Sequence, residues 1–322
     1  MFRAKTPLER NFKNVEQTGE KNFNNAISGG HNTESTILYN KTGHSTLTSG
    51  CRVTAAYGNA NNEKFIRGNR HYYNPTVTIN NIITMAQVCD SEAVRRTVER
   101  HNLHLPTPEE VMEVITYSSR NYWYDPQHEE KVLSILRTLT PYELANFVYT
   151  GDLYHLAKFN EDFVRRLITN LSAFVIGEDY EDPMSIIKAA PDAYLNCAHQ
   201  ICYEETKGRK KEYQDYPKKN LQALAATVVN MDSVLEEHRD IVETFWKPIV
   251  MPASIAHLTT SKRRSVLGGD TDSTLFTVEW WVHWMCGNYG FTRKARGVFA
   301  TVVFLASCTV KHLLAKMSAN FG

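Results

Sequence analysis

Apolar residues recur at helical spacing through much of the chain between residues 86 and 250. The longest stripe alternates spacings of three and four and consists of Leu221, Leu224, Val228, Met231, Leu235, His238, Val242 and Phe245. Residues at this spacing lie on one face of an α-helix, so the stripe predicts one continuous helix roughly 40 Å long. We interpret His238, which lies on the same face, as a core histidine rather than a ligand.

Two helix starts in the same region are marked by short polar motifs. Thr107-Pro108-Glu109-Glu110 and Thr140-Pro141-Tyr142-Glu143 each combine a capping box with proline at the first helical position. The region is therefore predicted to be helical. Its aromatic residues Tyr117, Tyr122, Trp123 and Tyr124 favour helix packing over the alternative, stacking on single-stranded bases.

A different pattern lies near the carboxyl end, where short apolar runs flank a glycine-led turn. Val266 and Leu267 precede the turn, and Leu275, Phe276 and Val278 follow it. This pattern predicts a β-hairpin, with glycines adopting backbone angles that other residues resist, and with Asp270 and Asp272 at its tip. Carboxylate oxygens suit Mg²⁺, so the hairpin indicates phosphate or nucleotide chemistry. Asp-x-Asp also occurs in ordinary surface hairpins and in sugar-nucleotide transferases.

Composition limits the remaining choices. The chain has 322 residues, 42% of them hydrophobic, and a formal net charge of +1, so any nucleic-acid-binding surface must be local. Six scattered cysteines favour a reducing, intracellular compartment. Cys197, His199 and Cys202 are too few for a structural zinc site and are interpreted as a buried helix face. The apolar run from 298 to 310 is predicted to be a buried helix, because it is too short to span a bilayer.

The string Gly-Asp-Thr-Asp-Ser at 269–273 closely resembles the third palm motif of family B DNA polymerases, usually written Tyr-Gly-Asp-Thr-Asp-Ser, with Gly268 in place of the tyrosine. A second stretch, 52–78, resembles the end of that family's fingers helix. Thr54, Ala55, Tyr57 and Gly58 fall on the Asn, Ser, Tyr and Gly positions of the motif Asn-Ser-x-Tyr-Gly. Tyr72 and Tyr73 match a later aromatic pair.

The chain also departs from the family pattern. The family's lysine, seven residues before the tyrosine, falls on Gly50, so Lys41 or Arg52 would have to supply the positive charge. Lys41 and Arg52 share a predicted helix face with His44 and Thr48, and a solvated polar face is the alternative. The first palm motif, with its aspartate, has no counterpart. Residues 34–40 imitate it only in part, and we treat the likeness as chance because a fingers hairpin could not fit between them and Tyr57.

The resemblance covers about residues 35–80 and 262–318 and is strongest to the split, multi-chain polymerases of giant tailed bacteriophages. It implies an α+β, predominantly helical fold: a partial palm, made of a β-hairpin plus helices, with a fingers helix and a large helical insertion. The implied divisions are 1–85 for the fingers helix and start of the palm, 86–250 for the insertion, and 251–322 for the palm with its acidic hairpin.

The same resemblance implies a catalytic-core subunit of a split DNA-directed DNA polymerase that uses two Mg²⁺ ions and is inactive alone. Asp272 and Asp270 would be the catalytic metal ligands. Nucleotide binding is assigned to Lys41, Arg52, Thr54, Tyr57 and Gly58, and DNA binding to Lys64, Arg67, Arg70, Arg263 and Arg264.

The expected partners are primer-template DNA, dNTPs and polymerase fragments carrying the motif A aspartate, the exonuclease and the thumb. We expect the protein in an infected bacterial cell and not at a membrane. A non-catalytic docking subunit of a replication complex and a metal-dependent sugar-nucleotide transferase are the alternatives.

Overall fold

The computed structural model describes residues 6–176, 179–207, 213, 216–248, 255, 258, 260–269 and 273–321. Within these ranges the chain is 72% helical, with sixteen α-helices and one two-stranded antiparallel sheet. The prediction of an α+β, predominantly helical fold is therefore confirmed.

The elements, in chain order, are α1 (Pro7–Asn32), α2 (Lys41–Arg67), α3 (Pro75–Gln87), α4 (Ser91–His101), α5 (Pro108–Ser119), α6 (Pro126–Leu136), α7 (Pro141–Tyr149), α8 (Leu153–Phe159), α9 (Glu161–Leu171), α10 (Pro183–Ala189), α11 (Asp192–Ile201), α12 (Tyr203–Thr206), α13 (Lys218–Glu237), α14 (Arg239–Ile241), a π-helical segment (Val242–Trp246), β1 (Val266–Gly269), β2 (Thr274–Phe276), α15 (Glu279–Cys286) and α16 (Arg293–Phe321).

Both predicted capping boxes are present. Thr107 begins α5 and Thr140 begins α7, and each hydroxyl accepts the backbone N–H of the glutamate three residues later. The glutamate side chain accepts the N–H of the threonine in return. Each reciprocal pair satisfies two donors that the first helical turn leaves without partners.

The predicted 40 Å helix is interrupted. Its apolar stripe does face the core, since Leu224, Val228 and Met231 are buried. The helix ends at Glu237, however, and the chain continues through α14 into the π-helical segment. At the break, the His238 ring contacts the carbonyl oxygen of Val234 at 2.8 Å and stacks on His101 at a centroid distance of 5.6 Å. The three-four spacing persists through the break, which is why the sequence pattern does not reveal it.

The described chain divides into two compact units, with the boundary between Thr54 and Ala55. In the second unit one hydrophobic core includes Phe65 of α2, side chains from most helices between 91 and 246, Trp281 of α15 and Val298 of α16. Residues 86–250 therefore share a core with the segments that flank them. The compact units do not follow the boundaries at 85 and 250 expected from the sequence.

In the first unit, the turn between α1 and α2 brings the adjoining ends of these helices together. The N–H of Asn40 donates to the carbonyl of His31 at 2.9 Å, and Ser28 Oγ lies 3.3 Å from His44 Nδ1. Residues 34–40 thus form the turn of a helical pair. Only the first part of α2 lies between these residues and Tyr57, so no helical hairpin is present there, in agreement with the argument from the sequence.

Among the described helices, one is long and apolar enough to cross a membrane by length and composition, over Arg293–Lys316. Just over half of its apolar window, 56%, is buried inside the protein. Val298, Val302 and Ala306 are fully buried, and the helix packs against α9, α11 and α15. This packing is that of a core helix, as predicted for 298–310, although α16 is much longer than that run.

Candidate active site at the acidic hairpin

The predicted β-hairpin is present. Strands β1 and β2 pair antiparallel, with Val266 opposite Phe276 and Gly269 opposite Thr274. The predicted metal ligands Asp270 and Asp272 lie outside the described residues. In the sequence, both aspartates lie between Gly269, at the end of β1, and Ser273, which precedes β2.

Gly269 has a role other than the one expected from the sequence. Both Gly268 and Gly269 belong to β1, and neither has a positive φ angle. A Cβ atom on Gly269 would lie 3.0 Å from Asn59 Nδ2, which is closer than an ordinary contact. Glycine at 269 thus leaves room for a side chain from α2, and the expectation of unusual backbone angles at these two glycines was wrong.

The last turns of α2 hold this part of the chain at three points. Thr274 Oγ1 donates to Asn59 Oδ1 at 2.8 Å, beside the end of β1. Glu63 binds the start of β1, and the carbonyl of Ile66 accepts the indole N–H of Trp281 at 2.8 Å. Positions 59, 63 and 66 have helical spacing, so one face of α2 supports the hairpin and α15.

Glu63 is fully buried and accepts an unusual number of hydrogen bonds. The backbone N–H groups of Arg264, Ser265 and Val266 donate to its carboxylate at 2.9, 2.7 and 2.5 Å. Ser265 Oγ lies 3.2 Å from Oε1, and Asn69 Nδ2 donates to Oε2 at 2.6 Å. One side chain therefore satisfies three consecutive main-chain donors at the base of the hairpin.

The residues just before the hairpin are held by further side chains. The N–H of Lys262 donates to the Tyr122 hydroxyl at 3.0 Å, and the carbonyl of Lys262 accepts Asn69 Nδ2 at 2.8 Å. His71 Nδ1 lies 2.8 Å from the same hydroxyl. Burial is the main reason that the pKa of His71 is lowered to about 4. The nearby Glu63 raises this pKa, whereas Arg263 and Arg264 lower it further.

The candidate nucleotide-binding residues lie along α2. Lys41, Arg52 and Thr54 are exposed and belong to the first compact unit. Tyr57 is partly buried, and burial raises the pKa of its hydroxyl. A Cβ on Gly58 would lie 3.8 Å from Leu314 Cδ1, an ordinary contact distance, so packing does not require glycine there.

Two predicted DNA-binding cations are buried. Arg70 donates to the carbonyls of Phe147 and Val148 and to the Asp152 carboxylate, each at 2.8 Å. Lys64 is 4% exposed, and burial lowers its pKa well below the usual value. The prediction that Lys64 and Arg70 contact DNA does not agree with these positions, because a phosphate on the surface cannot reach either side chain.

The other three predicted DNA-binding residues lie nearer the surface. Arg67 is partly buried beside the Tyr154 and Trp280 rings, 5.9 and 5.7 Å from their centroids. The Arg264 guanidinium lies 3.7 Å from the centroid of the Tyr117 ring. Arg263 is exposed, and its Nε donates to Ser261 Oγ at 3.1 Å.

Asn59, Glu63 and Asn69 hold the hairpin but were not among the site residues predicted from the sequence. Their only sequence signal is that positions 59 and 63 are one turn apart on the helix that carries Tyr57 and Gly58. Of the aromatic residues predicted to pack between helices, Tyr117 stacks on Tyr154 and the Trp123 indole donates to the carbonyl of Tyr72, whereas Tyr124 is exposed. Within the described ranges, no group of three or more His, Cys, Asp and Glu side chains could hold a metal.

One known family accounts for nearly the whole chain. A family model described as divergent Family B DNA polymerase matches residues 2–322, which include both motifs. No curated protein and no solved structure matches the chain. The match confirms the resemblance carried by the two motifs, and the chain belongs to the divergent family B DNA polymerases.

Proposed function

We propose that this protein is a catalytic-core subunit of a split DNA-directed DNA polymerase. Family membership supports a DNA polymerase-related role and DNA as substrate. One contact supports a catalytic role in particular. The hydrogen bond between Asn59 and Thr274 joins residues 215 positions apart and brings the Tyr57-Gly58 end of the fingers motif beside the strand ends that carry Asp270 and Asp272.

Asp272 and Asp270 are the residues that would hold Mg²⁺. Their carboxylate oxygens suit this ion, and they are attached to a hairpin whose base and strand ends are both bound to α2. Bound Mg²⁺ would activate the primer hydroxyl and stabilise charge on the triphosphate. We assign the third carboxylate, which the family's first palm motif supplies, to a partner fragment of the kind encoded by giant tailed phages.

The remaining residues divide between nucleotide and DNA. We assign α1 and the first part of α2 to the fingers, where exposed Lys41 and Arg52 would contact the triphosphate. Tyr57 would pack under the nascent base pair, and Gly58 would let it approach the helix closely. Exposed Arg263 is the strongest candidate for a DNA phosphate contact, and Arg67 and Arg264 are the other two.

Primer extension in the presence of Mg²⁺ tests the proposal. We expect no extension by the purified chain, and extension once the fragment that carries the motif A aspartate is added. Asp272→Asn should then lower the rate by at least about 10²- to 10³-fold without unfolding the protein, because it removes a direct metal ligand. Asp270→Asn, a matched change two residues away, should have a smaller effect.

Each outcome has a separate meaning. Robust extension by the lone chain would exclude the split arrangement. Full activity of the reconstituted Asp272→Asn enzyme would remove the proposed metal role, and a greater loss from Asp270→Asn would exchange the two roles. A complex that assembles with its partners but never extends a primer would identify a non-catalytic docking subunit.

A further inference from the structure

The strongest unexplained feature near the hairpin is the convergence of donors on Glu63. Three consecutive main-chain N–H groups, those of Arg264, Ser265 and Val266, point to a single carboxylate. In a β-ladder, successive N–H groups point alternately to opposite sides. Successive donors directed at one anion form instead a concave, nest-like site, here occupied by a side chain of the protein itself.

This contact lies at the base of the hairpin, so its geometry affects the position of both strands. Val266 is the first residue of β1, and only Leu267, Gly268 and Gly269 separate it from Asp270 in the sequence. The opposite strand is tied to the same base, because the N–H of Thr277 donates to the carbonyl of Ser265 at 2.8 Å. A shift of this backbone on α2 would therefore move both strand ends.

Glu63 and Asn59 act at opposite ends of the same strand. They lie one helical turn apart on α2, Glu63 at the start of β1 and Asn59 beside Gly269 and Thr274. The two side chains together fix how far β1 extends along the helix. Tyr57 and Gly58 immediately precede Asn59 on the same helix.

We infer that Glu63 is a positioning residue for the acidic hairpin. Its carboxylate sets the position of β1 on α2. Through β1, it sets the distance from Tyr57 and Gly58 to the strand ends that carry Asp270 and Asp272. This inference rests on the proposed function and deepens it. Glu63 itself is buried behind the hairpin and needs no contact with substrate.

Glu63→Gln separates this role from simple space filling. Glutamine has nearly the same volume, but its amide offers one acceptor oxygen and presents an NH₂ group to the converging donors. At least one main-chain N–H would then lose its partner. Glu63→Asp keeps both oxygens and the charge with a shorter reach, so it should recover part of the lost function.

Asp152→Asn is the matched control. Asp152 is also fully buried and accepts several strong hydrogen bonds, but its donors are Arg70 and His155 rather than the hairpin backbone. The change removes the same charge and leaves the residues at 264–266 bound to Glu63. We expect it to lower the melting temperature without altering the hairpin.

The first measurement is hydrogen exchange of the full chain, which requires no polymerase activity. Glu63→Gln should speed exchange roughly tenfold or more at residues 264–269 and 274–277, with little change in α5 to α9. Asp152→Asn should instead speed exchange in α5 to α9 and change it little at residues 264–269 and 274–277. Unchanged exchange at the hairpin in Glu63→Gln would overturn the inference. If the glutamine variant does not fold, unchanged exchange in Glu63→Asp would overturn it instead.

The second measurement is steady-state primer extension by the reconstituted enzyme. We expect kcat to fall roughly ten- to hundredfold in Glu63→Gln, a KM for primer-template within about twofold of wild type, and partial recovery in Glu63→Asp, because small displacements of reacting groups are costly. A mobile hairpin with unchanged kcat would overturn the inference and leave the proposed function intact. An inactive wild-type complex would instead contradict the proposed function, and hydrogen exchange would still decide whether Glu63 anchors the hairpin.

Discussion

The cations on and just after α2 illustrate how residues of the same charge can lie in different environments. Arg70 binds Asp152 at 2.8 Å in the core, whereas Arg52 lies exposed. Burial alone would raise the pKa of Asp152, but His155 and Arg70 lower it to about 2. Arg70 therefore joins α2 to the start of α8, and the exposed cations remain the candidates for binding phosphate.

Arg52→Ala should raise the KM for nucleotide in the reconstituted polymerase more than it weakens DNA binding. A charge-assisted hydrogen bond to phosphate contributes about 1.5 to 3 kcal/mol, which corresponds to roughly a ten- to hundredfold change. Steady-state kinetics with varied dNTP measures the effect. Arg96→Ala removes an exposed arginine from α4 as a control, and an unchanged nucleotide KM in Arg52→Ala would assign Arg52 to the solvated face.

We expect His71 to make the stability of the protein sensitive to acid. Its pKa is lowered to about 4 in the folded state, so between pH 6.5 and about 4 the unfolded chain binds the additional proton. The free energy of unfolding should therefore fall as the pH drops through this window, by at most about 3 kcal/mol from this group, and not change further below it. Urea unfolding at several pH values measures the slope.

The substitution His71→Asn tests the source of that slope. His71 has a φ of 49°, a left-handed conformation that asparagine tolerates. The variant should be less stable than wild type at pH 7, because it loses the contact with Tyr122, and should lose less stability on acidification. A slope equal to that of wild type would show that other groups cause the acid sensitivity.

Helix α2 is the element that connects the two parts of the proposed function. Its first part belongs to one compact unit with α1, and its last turns hold β1, β2 and α15 in the other. The helix ends at Arg67, and it is followed by Gly68, whose φ is 61° and where a Cβ would lie 2.3 Å from His155 Cε1. Only glycine fits this position, which contrasts with Gly58.

Gly58→Ala should stabilise the protein while impairing catalysis. Alanine is favoured over glycine inside a helix by about 1 kcal/mol, and the structure has room for its methyl group. We expect a higher melting temperature together with a lower kcat/KM for nucleotide, measured by unfolding and by primer extension. Gly50→Ala is the control, because it makes the same change in the same helix at a position where an added Cβ would have no neighbouring atom within 4 Å. Equal kcat/KM for wild type and Gly58→Ala would leave Gly58 without a functional role.

At the scale of the whole molecule, one core serves segments that the sequence separates. Phe65, Ile66, Trp281 and Val298 are buried among helices of the 86–250 region. Fully burying a large side chain contributes about 1.5 to 3 kcal/mol, so these four account for roughly 6 to 12 kcal/mol. That amount is comparable with the entire stability of an ordinary domain, about 5 to 15 kcal/mol.

The fragment 86–250 should therefore not fold cooperatively when it is expressed alone. Near-ultraviolet circular dichroism and the dispersion of amide proton resonances measure its tertiary structure, with the full chain as the reference. Native-like spectra and a sharp unfolding transition would instead support an independent insertion with the boundaries expected from the sequence.

Local features of this protein followed from the sequence alone. The caps at Thr107 and Thr140, the hairpin at 266–276 and the inward face of α13 all depend on residues within a few positions of one another. Interactions at that range are set by backbone geometry and hydrophobic spacing, which can be read directly from a sequence.

Tertiary structure decided the features that depend on distant partners. Lys64 and Arg70 have the charge of DNA-binding residues, but packing against helices some 80 residues away buries Arg70 with Asp152. Glu63 meets residues 264–266 about 200 positions later, and no local pattern predicts that contact. Exposure and long-range hydrogen bonding arise only when the chain closes on itself. The sequence therefore determined the motifs, and the folded chain decided which side chains hold them together.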